Sequence, residues 1–298
     1  MNKKHQSLGI ILAIYLFTFM VGIFAFLLLK DIHLILRLFL SDIMMTLVIW
    51  IFSLILKNAS LYDPYWSVIP PFLLILVVIY LDLLSFSPII WLLIALLLWA
   101  LRLTYNWASL WTGFDHMDWR YEKIKKVAPK IYPLSNLLAI QIFPTIIVFI
   151  QLIGALRFIE ENPSLNWIIL TGGIMIILAA AIQLIADEQM KRFKKAHQGL
   201  KLCIEEGLWK YSRHPNYFGE VLVWWGVYLF YLGTFRVLDL IILAPIAMTG
   251  LFLFISIPWM EKKILETRPE YKYYQKRVSM LIPFFRKETS SYMNEKNA

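Results

Sequence analysis

Sulfur and charge are both scarce in this chain. Its 298 residues include one cysteine, Cys203, which excludes an internal disulfide and any multi-cysteine metal site. The five histidines, His5, His33, His116, His197 and His214, show no HxxxH or HExxH spacing, so a sequence-local zinc site is not expected. Neither a GxGxxG turn nor a GxxxxGKS or GxxxxGKT loop is present; a nucleotide bound here would not be held by a Rossmann or P-loop unit. Charged residues make up only 16% of the chain, against about 25% in an ordinary soluble domain. That leaves little room for a separate soluble domain.

What fills the chain instead is apolar sequence, 60% of all residues. It falls into blocks of about twenty, the length that crosses a bilayer as a helix. Eight spans are expected, at 8–29, 34–56, 66–84, 88–111, 137–159, 167–186, 217–232 and 238–258. The last two are short enough that one of them could be re-entrant. No small-residue cleavage site follows the first span, so it reads as a retained helix rather than a signal peptide. With the N-terminus in the cytoplasm, 24 of the 29 Lys and Arg residues fall in cytoplasmic segments and 4 outside. This asymmetry fits an even number of spans and cytoplasmic termini. The net charge of +9 is therefore mainly topogenic, and nucleic acid is not expected as a partner. The fold class is all-α: a polytopic helical bundle in the plasma membrane, one domain over 1–298, with helices 1–136 and 137–298 as its two halves.

A charge at membrane depth costs on the order of 3 kcal/mol and marks a functional suspect. Arg102, inside span four, is one; Asn106 and Ser109 lie on the following turns and Tyr105 beside them. Its alternative is an arginine that snorkels to the headgroups. Asp63 and Pro64, followed by Tyr65 and Trp66, open span three, where a helix start gives them an ordinary role. Asp115, Asp118, Arg120, Tyr121 and Glu122 form a charged aromatic cluster after span four, which a solvated loop would also explain. Gln183, Asp187 and Lys191 recur every fourth residue on a helix that runs past the membrane through Arg192, Lys194 and Lys195. An acid at a helix C-terminus opposes the macrodipole, so Asp187 calls for a partner cation or a ligand hydroxyl.

The segment Gly207-Leu208-Trp209-Lys210-Tyr211-Ser212-Arg213-His214-Pro215-Asn216-Tyr217-Phe218-Gly219-Glu220 is a basic loop entering a membrane helix. Pro215 suits the first helical turn. The free N–H groups of that turn, together with the Arg213 fork, could hold a phosphate or carboxylate. Asn216 and Glu220 share a face, and Gly219 allows a close approach. Simple helix capping with an interfacial arginine is the plainer alternative.

These residues resemble the C-terminal domain of the steroid 5α-reductases, in the branch of bacterial membrane proteins of the domain of unknown function 1295 type. The resemblance covers about 180–287. It rests on Asp187 before a basic helix end, on Gly207-Leu208-Trp209 with Tyr211, and on Asn216 with Gly219-Glu220. The tail from Glu270-Tyr271 through Tyr274-Gln275-Lys276-Arg277 to Leu281-Ile282-Pro283-Phe284-Phe285 completes it. The block Arg213-His214-Pro215-Asn216-Tyr217 is more similar to sterol C14- and Δ7-reductases. The resemblance implies NADPH as cofactor, held by Asp187, Tyr211, Arg213, His214, Asn216, Glu220 and Tyr271. Steroid reductases also grip a substrate carbonyl with a glutamine–glutamate pair and a tyrosine from early helices, and no such pair is evident here. Asp63, Tyr65 and Tyr105 are the candidate acids, with Arg102 and Asn106 as substrate contacts.

The expected activity is reduction of a lipophilic enone-, steroid- or isoprenoid-like double bond, the substrate entering from the bilayer. Hydride would come from the nicotinamide and the proton from a tyrosine or carboxylic acid. A methyltransferase using S-adenosylmethionine is the alternative enzyme class. Isoprenylcysteine methyltransferases share an Arg-His-Pro-x-Tyr-x-Gly block and a similar tail, but have paired glutamates where this chain has Glu261 and Lys262. A membrane scaffold or lipid-binding protein without turnover is the third reading.

Overall fold

The computed structural model describes residues 3–84 and 88–286. Among them all regular structure is helical, apart from one isolated bridge between Ser212 and Ser279. Eight helical segments are long and apolar enough to cross a membrane: Lys3–Leu28, Leu34–Ile55, Ala59–Tyr80, Pro88–Leu110, Pro129–Glu161, Trp167–Ala196, Pro215–Phe235 and Leu240–Thr267. Each overlaps one expected span. The last two run to 21 and 28 residues, so neither is too short to cross. Leu12, Met20, Phe24, Leu101 and Leu178 are exposed. In water each would cost about 1.5–3 kcal/mol relative to burial; against lipid tails they are the required exterior. The chain is an all-α polytopic membrane bundle.

The chain divides into two compact units, residues 1–173 with 227–244, and 174–226 with 245–298. The 136/137 division expected from the sequence lies inside the first. That unit holds α1 (Lys3–Leu28), α2 (Leu34–Ile55), a 3-10 turn at Ala59–Tyr62, α3 (Tyr65–Tyr80), α4 (Pro88–Leu110), α5 (Trp119–Val127), α6 (Tyr132–Ser135) and α7 (Phe143–Glu161). A seven-residue π-helix, Asn136–Ile142, leads into α7. Gly22 lets α1 and α2 close up, since a Cβ there would meet Met45 Sδ at 2.4 Å. Asn58 caps the 3-10 turn by accepting from Ser60 N at 2.9 Å, and Tyr15 ties the turn to α1 through Leu61 O at 2.9 Å. Pro70 and Pro71 sit inside α3 and remove two helix donors, the pair that Trp66 and Ser67 carbonyls would otherwise meet. Asn166 caps α8 (Trp167–Ala196) through Ile168 N and Ile169 N at 3.1 and 3.2 Å.

The second unit holds most of α8, the start of α9 (Pro215–Phe235), most of α10 (Leu243–Leu251), α11 (Ile257–Thr267) and α12 (Tyr271–Arg277). As expected, α8 continues through the basic stretch to Ala196, and Pro215 is the first residue of α9. Gly219 brings α9 against α8: a Cβ there would lie 2.4 Å from Gln183 Cγ and 2.8 Å from Ala179 O.

Candidate functional site

Two buried polar clusters stand out, one in each unit. In the first, α2 carries Asp42 and Thr46 one turn apart on one face. The 3-10 turn supplies Tyr62, the first residue of α3 is Tyr65, and α7 supplies Thr145. None of these five side chains is more than 3% exposed. The Tyr65 hydroxyl donates to Asp42 Oδ1 at 2.6 Å and lies 3.0 Å from Thr46 Oγ1. Thr46 Oγ1 is also 3.0 Å from Thr145 Oγ1, which is 2.8 Å from the Tyr62 hydroxyl. The two tyrosine rings stack at 5.0 Å. A narrow, partly open crevice, with room for about one water molecule, ends on this row of hydroxyls, with Trp66, Ile69, Leu73, Val148 and Leu152 on its walls. Its polar end is a carboxyl and hydroxyls; its sides are apolar. The groups at that end can pass a proton to an oxygen or carbon brought within hydrogen-bond reach.

Asp63, next to this row in the chain, serves a different cluster. Its Oδ1 accepts the Tyr121 hydroxyl at 2.6 Å rather than capping α3, whose N-cap Pro64 has no side-chain hydrogen bond. Desolvation and then the Asp63 carboxylate hold the Tyr121 hydroxyl well above its usual range. Asp118 caps α5 through Arg120 N at 2.9 Å and grips the Arg120 side chain at 2.8 and 3.2 Å. Of the charged aromatic cluster after span four, Asp118, Arg120 and Tyr121 are thus folded in, whereas the Asp115 side chain is 90% exposed.

In the second unit Glu261 of α11, 7% exposed, collects five donor groups. Arg213 Nε and Nη2 lie 2.7 and 3.3 Å from its oxygens, His214 Nε2 3.0 Å, the Tyr271 hydroxyl 3.1 Å and Gln275 Nε2 2.7 Å. Arg213 Nη1 donates to Gln275 O and Val278 O at 2.7 and 3.0 Å. The loop and tail are further stitched by Ser212 Oγ to Leu281 O at 2.7 Å, Arg213 N to Ser279 O at 2.9 Å, and Tyr274 to Trp209 O. Desolvation, with Glu261 next, raises the Tyr271 hydroxyl far above its ordinary value; desolvation and Glu205 do the same for Tyr274. Glu220, 6% exposed, accepts from Gln183 Nε2 at 2.7 Å and Trp224 Nε1 at 3.2 Å.

The residues named from sequence therefore separate. Tyr65 joins the first cluster and Asp63 the neighbouring one. Tyr105 is 67% exposed on α4. Arg102 is buried at 9% in α4 and Asn106 is half-buried, its Oδ1 enclosed. In the second unit Arg213, His214, Glu220 and Tyr271 make the bonds given above; Asp187, Tyr211 and Asn216 reach the surface in part. A dinucleotide fits this set only partly. The surface-reaching carboxylate, phenol and amide suit its hydroxyls and amide, but all three Arg213 nitrogens are spent on Glu261 and two carbonyls instead of phosphate.

Sequence reasoning missed Asp42, Thr46, Tyr62 and Thr145, and did not give Glu261 its role. The signal for Asp42 was there: it is an acid inside an apolar span, and the rule that singled out Arg102 applies to it equally. Hydroxyl partners carry no such signal.

Comparison with known proteins gives a relative in Schizosaccharomyces pombe, "Uncharacterized protein C594.04c". It is 26% identical over 267 residues, covering 79% of this chain and 76% of that protein. No solved structure matches. The family described as "Protein of unknown function (DUF1295)" matches over residues 49–278, a stretch that contains Tyr62, Tyr65, Thr145 and the whole Glu261 cluster, and the chain belongs to that family.

Proposed function

We propose that this protein is an NADPH-dependent membrane reductase of a lipophilic substrate's double bond, with Tyr65 as the proton donor. The supporting observation is the Tyr65–Asp42 pair at the end of an apolar cleft, 2.6 Å apart and almost wholly buried. Burying a tyrosine hydroxyl with a carboxyl costs free energy unless every polar atom is matched. An oxygen of an enone-like substrate at the cleft would take over the Tyr65 proton that Asp42 otherwise accepts, with Thr46 Oγ1 3.0 Å from the phenol oxygen. Proton delivery to the carbon beside the one receiving hydride completes the saturation of the double bond; delivery to the oxygen gives the enol, which then tautomerises to the saturated ketone. NADPH, when bound, supplies the hydride; Asp187, Tyr211 and Asn216 are the residues suited to it, while Arg213, His214, Glu220 and Tyr271 would build the surrounding wall. The substrate reaches the cleft from the bilayer, and the plasma membrane is the proposed location.

The test has two stages. Detergent-purified protein is heated with NADPH and, separately, with S-adenosylmethionine, using wild type, Asp187→Ala and Asn216→Ala. Stabilisation by NADPH that weakens in both variants is expected. Lipophilic enones are then screened for NADPH oxidation, in which Tyr65→Phe and Asp42→Asn should lower turnover by about 10²–10⁴-fold without changing the thermal response to NADPH. Stabilisation by S-adenosylmethionine alone would move the reading to methyl transfer. No response to either would favour a scaffold or lipid-binding protein, and full turnover in Tyr65→Phe would remove Tyr65 as the acid.

A further inference from the structure

Three large apolar side chains of the tail, Ile282, Phe284 and Phe285, are 66%, 67% and 78% exposed. They belong to no membrane-length helix; they follow α12 in an irregular stretch. Such a cluster at a chain's surface marks contact with something apolar.

The way the tip is held identifies that partner. Phe284 N donates to Tyr211 O at 3.0 Å, and the Phe285 ring meets the Tyr211 ring edge-on at 6.3 Å. Tyr211 stands four residues before Pro215, the first residue of a membrane-length helix. Four residues of chain span at most about 14 Å, so the tip is tethered close to the plane where α9 begins. A bilayer has about 5–7 Å of headgroup layer on each side of its hydrocarbon core, and aromatic residues favour that layer. Basic residues of the same unit complete the pattern. Lys201, Lys210 and Lys276 are exposed, and lysines beside a membrane attract anionic headgroups.

We infer that Ile282–Phe285 is a membrane-surface anchor, seated among the headgroups and upper acyl carbons of an anionic bilayer, the one the chain spans. The tail from Tyr271 to Arg286 is then fastened twice: to the loop at 207–213 by the Glu261 cluster, and to lipid by its tip. This does not rest on the reductase reading.

The test uses the full chain with Cys203→Ala and Phe284→Cys, carrying an environment-sensitive nitrobenzoxadiazole label, in phosphatidylcholine–phosphatidylglycerol vesicles. Emission shifted to the blue is expected, with stronger quenching by a nitroxide high on the acyl chain than by one at its end. The label at Lys272→Cys should stay water-like. Phe285→Cys repeats the measurement at a second position, guarding against a local effect of replacing Phe284. Water-like emission without nitroxide quenching at both positions would overturn the anchor. So would shielding that is insensitive to nitroxide and grows with the protein-to-lipid ratio, which would assign the tip to a second copy of the chain.

Discussion

Replacing Glu261 is the most informative single perturbation of this fold. Its carboxylate anchors Arg213, whose side chain is only 11% exposed, together with His214, Tyr271 and Gln275. Glu261→Ala leaves that guanidinium buried with two carbonyl acceptors and no anion. Breaking one side of a buried ion pair costs about 3–5 kcal/mol. Because those bonds join the loop at 207–213 to the tail, the cost should appear as local opening of the tail. At about 1.4 kcal/mol per tenfold, a 3 kcal/mol loss raises the open population by about two orders of magnitude. The chain carries its own reporter. Cys203 packs against Tyr271, Tyr274 and Val278, and burial pushes its thiol above the usual value. Cys203 is half-buried, so Glu261→Ala should react with maleimide faster than wild type by up to about a hundredfold, the full ratio appearing where opening rather than direct access limits labelling. Glu261→Gln, which keeps shape and loses charge, should fall between the two. Adding Arg213→Gln to Glu261→Gln should cost less than the sum of the two changes, since they share an ion pair, but more than Glu261→Gln alone, since Arg213 also holds Gln275 O and Val278 O. A labelling rate in Glu261→Ala within threefold of wild type would refute the claim that this cluster fastens the tail.

Further outcomes follow from the same physics. Gly173→Ala places a Cβ 2.0 Å from Trp91 Nε1; overpacking of this kind costs about 1–3 kcal/mol, and should lower the thermal midpoint by several degrees, with Trp91→Leu restoring most of it. Tyr271 and Tyr274 hold their protons far more tightly folded than unfolded, so the stability they add is complete below about pH 10 and lost as the pH rises above it. Thermal midpoints at pH 9 and 11 should therefore diverge in wild type and draw closer in Tyr271→Phe, whose lower stability at pH 9 would reflect one lost hydrogen bond of about 1.5–3 kcal/mol to a charged partner. Tyr121→Phe removes the hydroxyl that occupies Asp63 and should loosen proteolytic protection of residues 112–136; an unchanged cleavage pattern would show that contact to be dispensable.

Eight spans, their approximate limits, the run of α8 beyond the membrane, the start of α9 at Pro215 and the small residue at Gly219 were all legible in the sequence. These are local facts: apolar length, the fixed φ of proline and the missing Cβ of glycine act on their own segment. Partner choice was not legible. Asp63 looked like a helix cap and instead accepts Tyr121, 58 residues later. Arg213 looked like a phosphate ligand, but its fork is closed by Glu261, 48 residues on. Asp42 lay unnoticed in span two until α3 and α7 brought Tyr65 and Thr145 to its turn. Hydrophobic periodicity reports which solvent a residue meets, water, lipid or protein. It carries no information about which distant side chain completes a buried hydrogen bond, because that depends on how helices remote in sequence cross.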